Sequence, residues 1–207
     1  MILMRLLCFK QGEITVLEII KKLENKAFTV GVIGIGEKGL PVAANCANAG
    51  FVTLGFDSRP IRAEMINGMN NYIEGYSVKN YRELWYGEIL HGTTDFGAAA
   101  SSDIVIICAD DHIAKSYFGD ITPESCIGAV SDYLRKDSAV VYLSESKTAL
   151  SLSEAEALIA KGTGYTANRD FICATGVSDC RGRVTFTENN YPALYEKLFK
   201  LADGECV

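Results

Sequence analysis

Three observations predict a three-layer α/β chain built on a doubly wound, mostly parallel sheet. Short β-branched apolar runs alternate with helical patterns along nearly the whole length, the order that yields parallel strands joined by right-handed crossovers. The first of those runs opens into a glycine-spaced turn followed by an alanine-rich helix. A later run, Asp103 to Ala109 (DIVIICA), is apolar at successive positions, as a strand covered on both faces must be.

In chain order, an amphipathic helix is expected over Glu13 to Asn25, with Ile14, Leu17, Ile20 and Leu23 on one face. Residues 1–28 therefore read as a structural helix packed on the domain, and 29–207 as the dinucleotide-binding domain itself. The apolar start Met1 to Phe9 is too short to span a bilayer and lacks a small-residue cleavage site, so it reads as packing. Thr29 to Ile33 has the composition of a buried parallel strand. It is followed by Gly34-Ile35-Gly36-Glu37-Lys38-Gly39, a GxGxxG turn. Gly34 permits the sharp exit from the strand, Gly36 lets a pyrophosphate approach the backbone, and Gly39 lets the next helix pack closely. That helix runs from Leu40 to Ala49, with Pro41 tolerated in the first turn and Gly50 ending it. Val52 to Phe56 is the second strand. It ends in Asp57, about 20 residues after the turn, where a carboxylate can accept ribose hydroxyls.

Helices are then expected over Pro60 to Asn67, Val78 to Leu90, briefly Phe96 to Ala100, Pro123 to Arg135, Ser153 to Ala160 and Pro192 to Leu201. The helix at Ser153 carries a Ser153/Glu156 capping box. Strands are expected near Gly92 to Thr94, at Asp103 to Ala109, Ala139 to Leu143, Phe171 to Ala174 and Val184 to Phe186.

Composition bounds the function. The chain has 207 residues, 48% hydrophobic and 22% charged, with 20 basic against 26 acidic side chains and a net charge of −6. No basic run offers a phosphate-tracking surface, so nucleic acid is not an expected partner, and no membrane role is suggested. Seven scattered cysteines without a C-x-x-C pair argue against zinc or a disulfide framework and fit a reducing cytoplasm. Asp110 and Asp111, beside His112, are read as solvated loop acids, and no metal site is expected.

Strand, glycine turn, helix and terminal acid together predict dinucleotide binding. NAD is preferred over NADP, because Asp57 would repel a 2′-phosphate. The residues expected to meet the cofactor are Gly34, Ile35, Gly36, Glu37, Lys38, Gly39, Asp57, Arg59 and Ala109.

These motifs resemble those of the UDP-glucose/GDP-mannose dehydrogenase family, nearest to its UDP-N-acetyl-hexosamine 6-dehydrogenases. The resemblance is carried by GVIGIGEKGLPVA, GFDSRP, Asn67-Gly68, Tyr72-Ile73-Glu74, Thr93-Thr94-Asp95-Phe96, SDYLRKDSAVVYL and RVTFTENNYPALYEKLFKLAD. It spans essentially the whole chain but only the amino-terminal third to half of such an enzyme. It implies a Rossmann NAD-binding fold, and two NAD-dependent oxidations of a sugar C6 alcohol in nucleotide-sugar metabolism and polysaccharide biosynthesis. The sequence departs from the family at several points. Glu37-Lys38 stands where an aromatic and a small apolar residue are usual. A carboxylate about 4 Å from a phosphate oxygen would cost about 4 kcal/mol at an effective dielectric of 20. Ala109-Asp110-Asp111-His112 replaces a Pro-Thr-Pro turn, and in Ser144-Glu145-Ser146, a loose counterpart of the family's Ser-Thr turn, Ser146 is the best match to the threonine. Asp179 is the carboxylate nearest the position of its Ser-Pro-Glu glutamate. Ser146 and Asp179 are thus the catalytic candidates. No cysteine sits in the family's Gly-Gly-x-Cys context, although Cys180 and Cys206 lie nearest the end of the chain. Neither His91 nor His112 has a nucleophile at readable spacing.

Two readings follow. One is the NAD-binding part of a nucleotide-sugar 6-dehydrogenase, with the sugar-binding, cysteine-bearing domain supplied elsewhere and a nucleotide sugar, a second copy or a split-enzyme half as partner. The other is a degenerate Rossmann module that binds a nucleotide or a protein and catalyses nothing.

Overall fold

The computed structural model describes residues 11–25, 27–68, 70, 72–73, 89–108, 123–144 and 149–202. The expected helix over Val78 to Leu90 falls almost wholly outside the described residues. Cys8, Ala109, Asp110, Asp111, His112, Glu145, Ser146 and Cys206 lie outside them as well.

Among the described residues, seven strands form one sheet: β1 (Thr29–Ile33), β2 (Val52–Phe56), β3 (Leu90–Thr93), β4 (Ile104–Cys108), β5 (Ser138–Leu143), β6 (Phe171–Ser178) and β7 (Val184–Asn189). Their spatial order is β3-β2-β1-β4-β5-β6-β7. All neighbours are parallel except β6 and β7, an antiparallel pair with a register shift at Thr175/Gly176. This is the doubly wound order, and the chain reverses its direction of winding between β1 and β4.

Helices cover both faces. On one lie α1 (Gln11–Glu24), α2 (Gly39–Asn48) and α6 (Pro192–Ala202), whose apolar side chains meet Val30, Val32, Ile104, Ile106, Val141 and Ile172. On the other lie α4 (Pro123–Ser131), α5 (Leu152–Thr163) and the 3-10 turn Phe96–Ser101, packed on Ile33, Phe56, Val105, Ile107, Val140 and Tyr142. Alternate residues of each central strand thus feed two separate cores. The short α3 (Pro60–Asn67) is tied to β3 through Asn67, whose side-chain amide donates to the Gly92 carbonyl and accepts from the Gly92 amide, both at 2.8 Å.

Several boundaries differ from the sequence reading, each for a tertiary reason. The buried stripe of α1 is Val16, Ile19, Ile20 and Leu23, while Leu17 is 45% exposed. Docking against α6 and β6, with Lys22 Nζ 2.6 Å from Asp103, selects this rotation over the equally periodic one predicted. Helix α4 ends at Ser131 instead of Arg135, because the Arg135 guanidinium is drawn to the Ser102 carbonyl (3.0 Å) and Asp103 (2.6 Å). The capping box on α5 is Ser151/Glu154, two residues before the expected pair. Glu156 instead accepts from Asn168 and Asn190. Strands β6 and β7 run past Ala174 and Phe186, because antiparallel pairing lengthens both.

Candidate dinucleotide site

The glycine turn lies at the carboxyl end of β1, beside the point where the winding reverses, the usual place for a ligand in an open α/β sheet. Gly34 has φ +88°, a conformation that disfavours any side chain, and its amide donates to the Phe56 carbonyl at 2.8 Å. The turn and the end of β2 are therefore held side by side. A Cβ on Gly39 would sit 1.7 Å from the Gly34 carbonyl oxygen and 3.3 Å from Cys108 Cβ. Only glycine lets the start of α2 approach β1 and β4 this closely.

Lys38 is the N-cap of α2 and its side chain makes no capping hydrogen bond, and the first helical turn carries no acidic residue. An α-helix leaves its first amides without intrahelical acceptors, and the dipole end there is positive. These features fit the pyrophosphate of a dinucleotide, with the amides from Gly36 to Gly39 as donors. At the other end of α2, Gly50 (φ +89°) and Phe51 return amides to Ala47 (2.9 Å) and Cys46 (3.2 Å), a Schellman closure that fixes the helix length. The Tyr72 hydroxyl donates to the Ile35 carbonyl at 2.6 Å and braces the turn from outside. Ile35 itself is fully buried, so its side chain belongs to the core and only its backbone faces the turn. Glu37 is exposed and Lys38 half-buried. Glu37 thus faces solvent, where salt and water screen its carboxylate from a neighbouring anion.

At the end of β2, Asp57 is not a free carboxylate. Asp57 is fully buried, with Oδ1 accepting from the Arg59 amide at 2.9 Å and Oδ2 from Arg62 Nη1 at 2.7 Å. The Arg62 side chain is itself only 13% exposed. Asp57 thus lies where sequence spacing places it, but as one half of a buried ion pair and without a solvent-facing oxygen. Arg62 was missed, although an arginine five residues after the terminal acid, one turn into the next helix, is a readable signal. Arg59 is exposed at the N-cap of α3.

Of the catalytic candidates, Asp179 lies in the tight β6–β7 turn. Oδ1 accepts from the Arg181 (2.8 Å) and Arg183 (3.0 Å) amides, and Oδ2 from Arg183 Nε (2.8 Å). Desolvation pushes its pKa up, but the Arg183 and Arg181 amides and the Arg183 guanidinium outweigh it, leaving the carboxyl below its usual range. Such a group is an ionised turn-builder, poorly suited to deliver or collect a proton. Cys46, Cys108, Cys126 and Cys173 are buried, and burial raises the Cys173 thiol far above its ordinary value, aided by Glu156. Cys180 is exposed on the hairpin turn. His91 is exposed on β3. On β5, the fully buried Tyr142 hydroxyl makes no hydrogen bond, and burial followed by Cys126 and Glu124 raises its pKa strongly.

The fold is shared with nucleotide-sugar dehydrogenases. The NDP-N-acetyl-D-galactosaminuronic acid dehydrogenase of Methanosarcina mazei Go1 superposes with a TM-score of 0.68 at 18% identity, over 94% of this chain and 45% of that one. The UDP-D-ManNAc dehydrogenase of Pyrococcus horikoshii gives 0.65 at 22% identity, over 84% and 44%. The chain therefore spans under half the length of these proteins. In sequence, L-threonate dehydrogenase of Haemophilus influenzae is 41% identical over 44 residues, 21% of this chain and 15% of that protein. No protein-family model matches. Among the described residues, no helix is long and apolar enough to cross a membrane.

Proposed function

We propose that this chain is the NAD-binding part of a nucleotide-sugar 6-dehydrogenase, an oxidoreductase acting on the C6 carbinol of a nucleotide-linked sugar. The observation that carries the reading is the uncapped amino end of α2, set by Gly34 and Gly39 at the winding reversal of a sheet shared with two such dehydrogenases.

Bound NAD would supply the hydride acceptor. The chain's own residues do the holding: amides from Gly36 to Gly39 receive the pyrophosphate, and Tyr72 holds the Ile35 peptide of the turn. Hydride transfer also needs a carbinol positioned against the nicotinamide, a base, and a thiol to trap the aldehyde for the second oxidation. Asp179 is committed to its turn, and the described buried thiols are enclosed, so these roles are assigned to a sugar-binding partner domain or subunit.

Titration calorimetry with NAD, together with NADH formation at 340 nm on UDP-glucose, UDP-N-acetylglucosamine and UDP-N-acetylmannosamine, tests the reading. The expected result is NAD binding without turnover. No NAD binding would favour the degenerate module, and turnover lost in Cys180→Ser would show that the chain carries its own nucleophile.

A further inference from the structure

We infer that the β6–β7 turn, folded by Asp179, seats Gly182 on the first turn of α2 and so positions the amides that take the pyrophosphate. This deepens the reading above and rests on it. The turn is closed on itself by Asp179, whose carboxylate accepts the Arg181 and Arg183 amides and Arg183 Nε, and whose carbonyl accepts the Gly182 amide at 3.0 Å. Gly182 is thereby held at φ +75°, a conformation open to glycine and strained for other residues.

The turn is packed against the helix that follows the glycine turn. Strand β6 stands two places from β4 in the sheet, yet its turn reaches α2. Gly182 is buried, and a Cβ on it would stand 2.6 Å from both the Pro41 carbonyl oxygen and the Val42 nitrogen, and closer still to the Pro41 carbonyl carbon. Those atoms are one peptide of the first turn of α2, and its amide points back at the Lys38 carbonyl, 3.5 Å away at the N-cap. One helical turn further on, Asn45 Nδ2 donates to the Arg181 carbonyl at 2.9 Å. The hairpin thus holds α2 at two points along one side. With Gly39 against Gly34 and Gly182 against Pro41, two glycines fix where the first turn lies, and a shift of either contact displaces the amides offered to the ligand. Such coupling is reciprocal, so a nucleotide bound at α2 must in turn steady the hairpin.

Gly164, at the C-cap of α5, supplies the control. Its φ is +72° and a Cβ there meets nothing within 4 Å, so alanine at either glycine strains the backbone alike, and only at position 182 does it push on α2. Calorimetric titration with NAD, at a temperature where circular dichroism shows each protein folded, should find Gly182→Ala at least fivefold weaker than wild type and Gly164→Ala within twofold of it. Hydrogen exchange adds a readout that does not depend on a variant. Saturating NAD should slow the amides of residues 179–183 at least threefold and leave those of the hydrogen-bonded turn at residues 166–170, on the amino edge of the sheet, unchanged. If Gly182→Ala does not fold, the exchange pattern of the wild type decides alone. A Gly182→Ala variant within twofold of wild type, an equal loss in Gly164→Ala, or exchange at 179–183 unmoved by bound NAD overturns the inference and leaves the NAD-binding reading intact. A wild type that binds no NAD overturns both.

Discussion

The two edges of the sheet each bury an aspartate, and the two are put to different uses. At the carboxyl edge, Asp57 closes off the end of β2 with one guanidinium and one amide, next to a helix whose amino end has no side-chain cap. At the amino edge, Asp103 opens β4 and collects Lys22 from α1, Arg135 from beyond α4 and the Thr29 amide of β1, at 2.6, 2.6 and 3.0 Å. Three elements distant in sequence converge on that one carboxylate, whereas Asp57 binds only its own next turn. Burial and pairing of a carboxylate therefore do not mark a site. The carboxyl edge is distinguished by the glycine turn and a helix amino end with no side-chain cap, and the amino edge by three donors gathered on one acid.

The comparison breaks most readily at Gly39. Gly39→Ala puts a methyl group 1.7 Å from the Gly34 carbonyl. We expect a loss of about 3 kcal/mol in urea denaturation and no measurable NAD affinity in whatever fraction folds. A variant that folds and binds like wild type would mean that the turn is not packed as described.

The amino edge should fail differently. Asp103→Asn leaves two cations and an amide around a neutral group. Because Lys22 and Arg135 are 47% and 35% exposed, the expected cost is about 1–3 kcal/mol and not that of a fully buried pair. NAD affinity should not change, and a parallel loss of binding would show that the two edges are coupled.

A second acid at the amino edge sharpens the contrast through pH. Asp170, at the start of β6, is held well below the usual carboxylate range by Arg169, then by the Thr166 amide, with Lys136 adding to both against a desolvation penalty. A depressed folded-state pKa contributes stability that is present above the unfolded value, about 3.9, and is lost as pH falls below it. The stability gap between wild type and Asp170→Asn should thus be constant above about pH 5 and narrow progressively below about pH 4. Denaturation midpoints across pH 2–7 would measure it, and a gap that widens in acid would contradict the assignment.

The smallest effect is expected back at the carboxyl edge. Glu37→Ala should change NAD affinity less than about twofold at physiological salt, since the side chain is exposed and screened. A tenfold tightening in calorimetry would place the carboxylate against the phosphates after all.

The sequence by itself determined the sheet, the glycine turn and the position of Asp57. Each of these is local: a buried strand is apolar at successive residues, a GxGxxG turn is a run of backbone requirements, and the terminal acid stands at a fixed spacing from it. Only the tertiary structure decided which stripe of α1 is buried, where α4 stops and what Asp57 touches. Val16–Ile19–Ile20–Leu23 and Ile14–Leu17–Ile20–Leu23 are both helical stripes, and docking with the Lys22–Asp103 contact chose the first. Arg135 is as good a helix former as its neighbours, but the Asp103 charge on another strand drew it out of the helix. Spacing places a side chain near a ligand's path, but a charged group's role depends on the opposite charge that reaches it first, and at Asp57 that charge is Arg62.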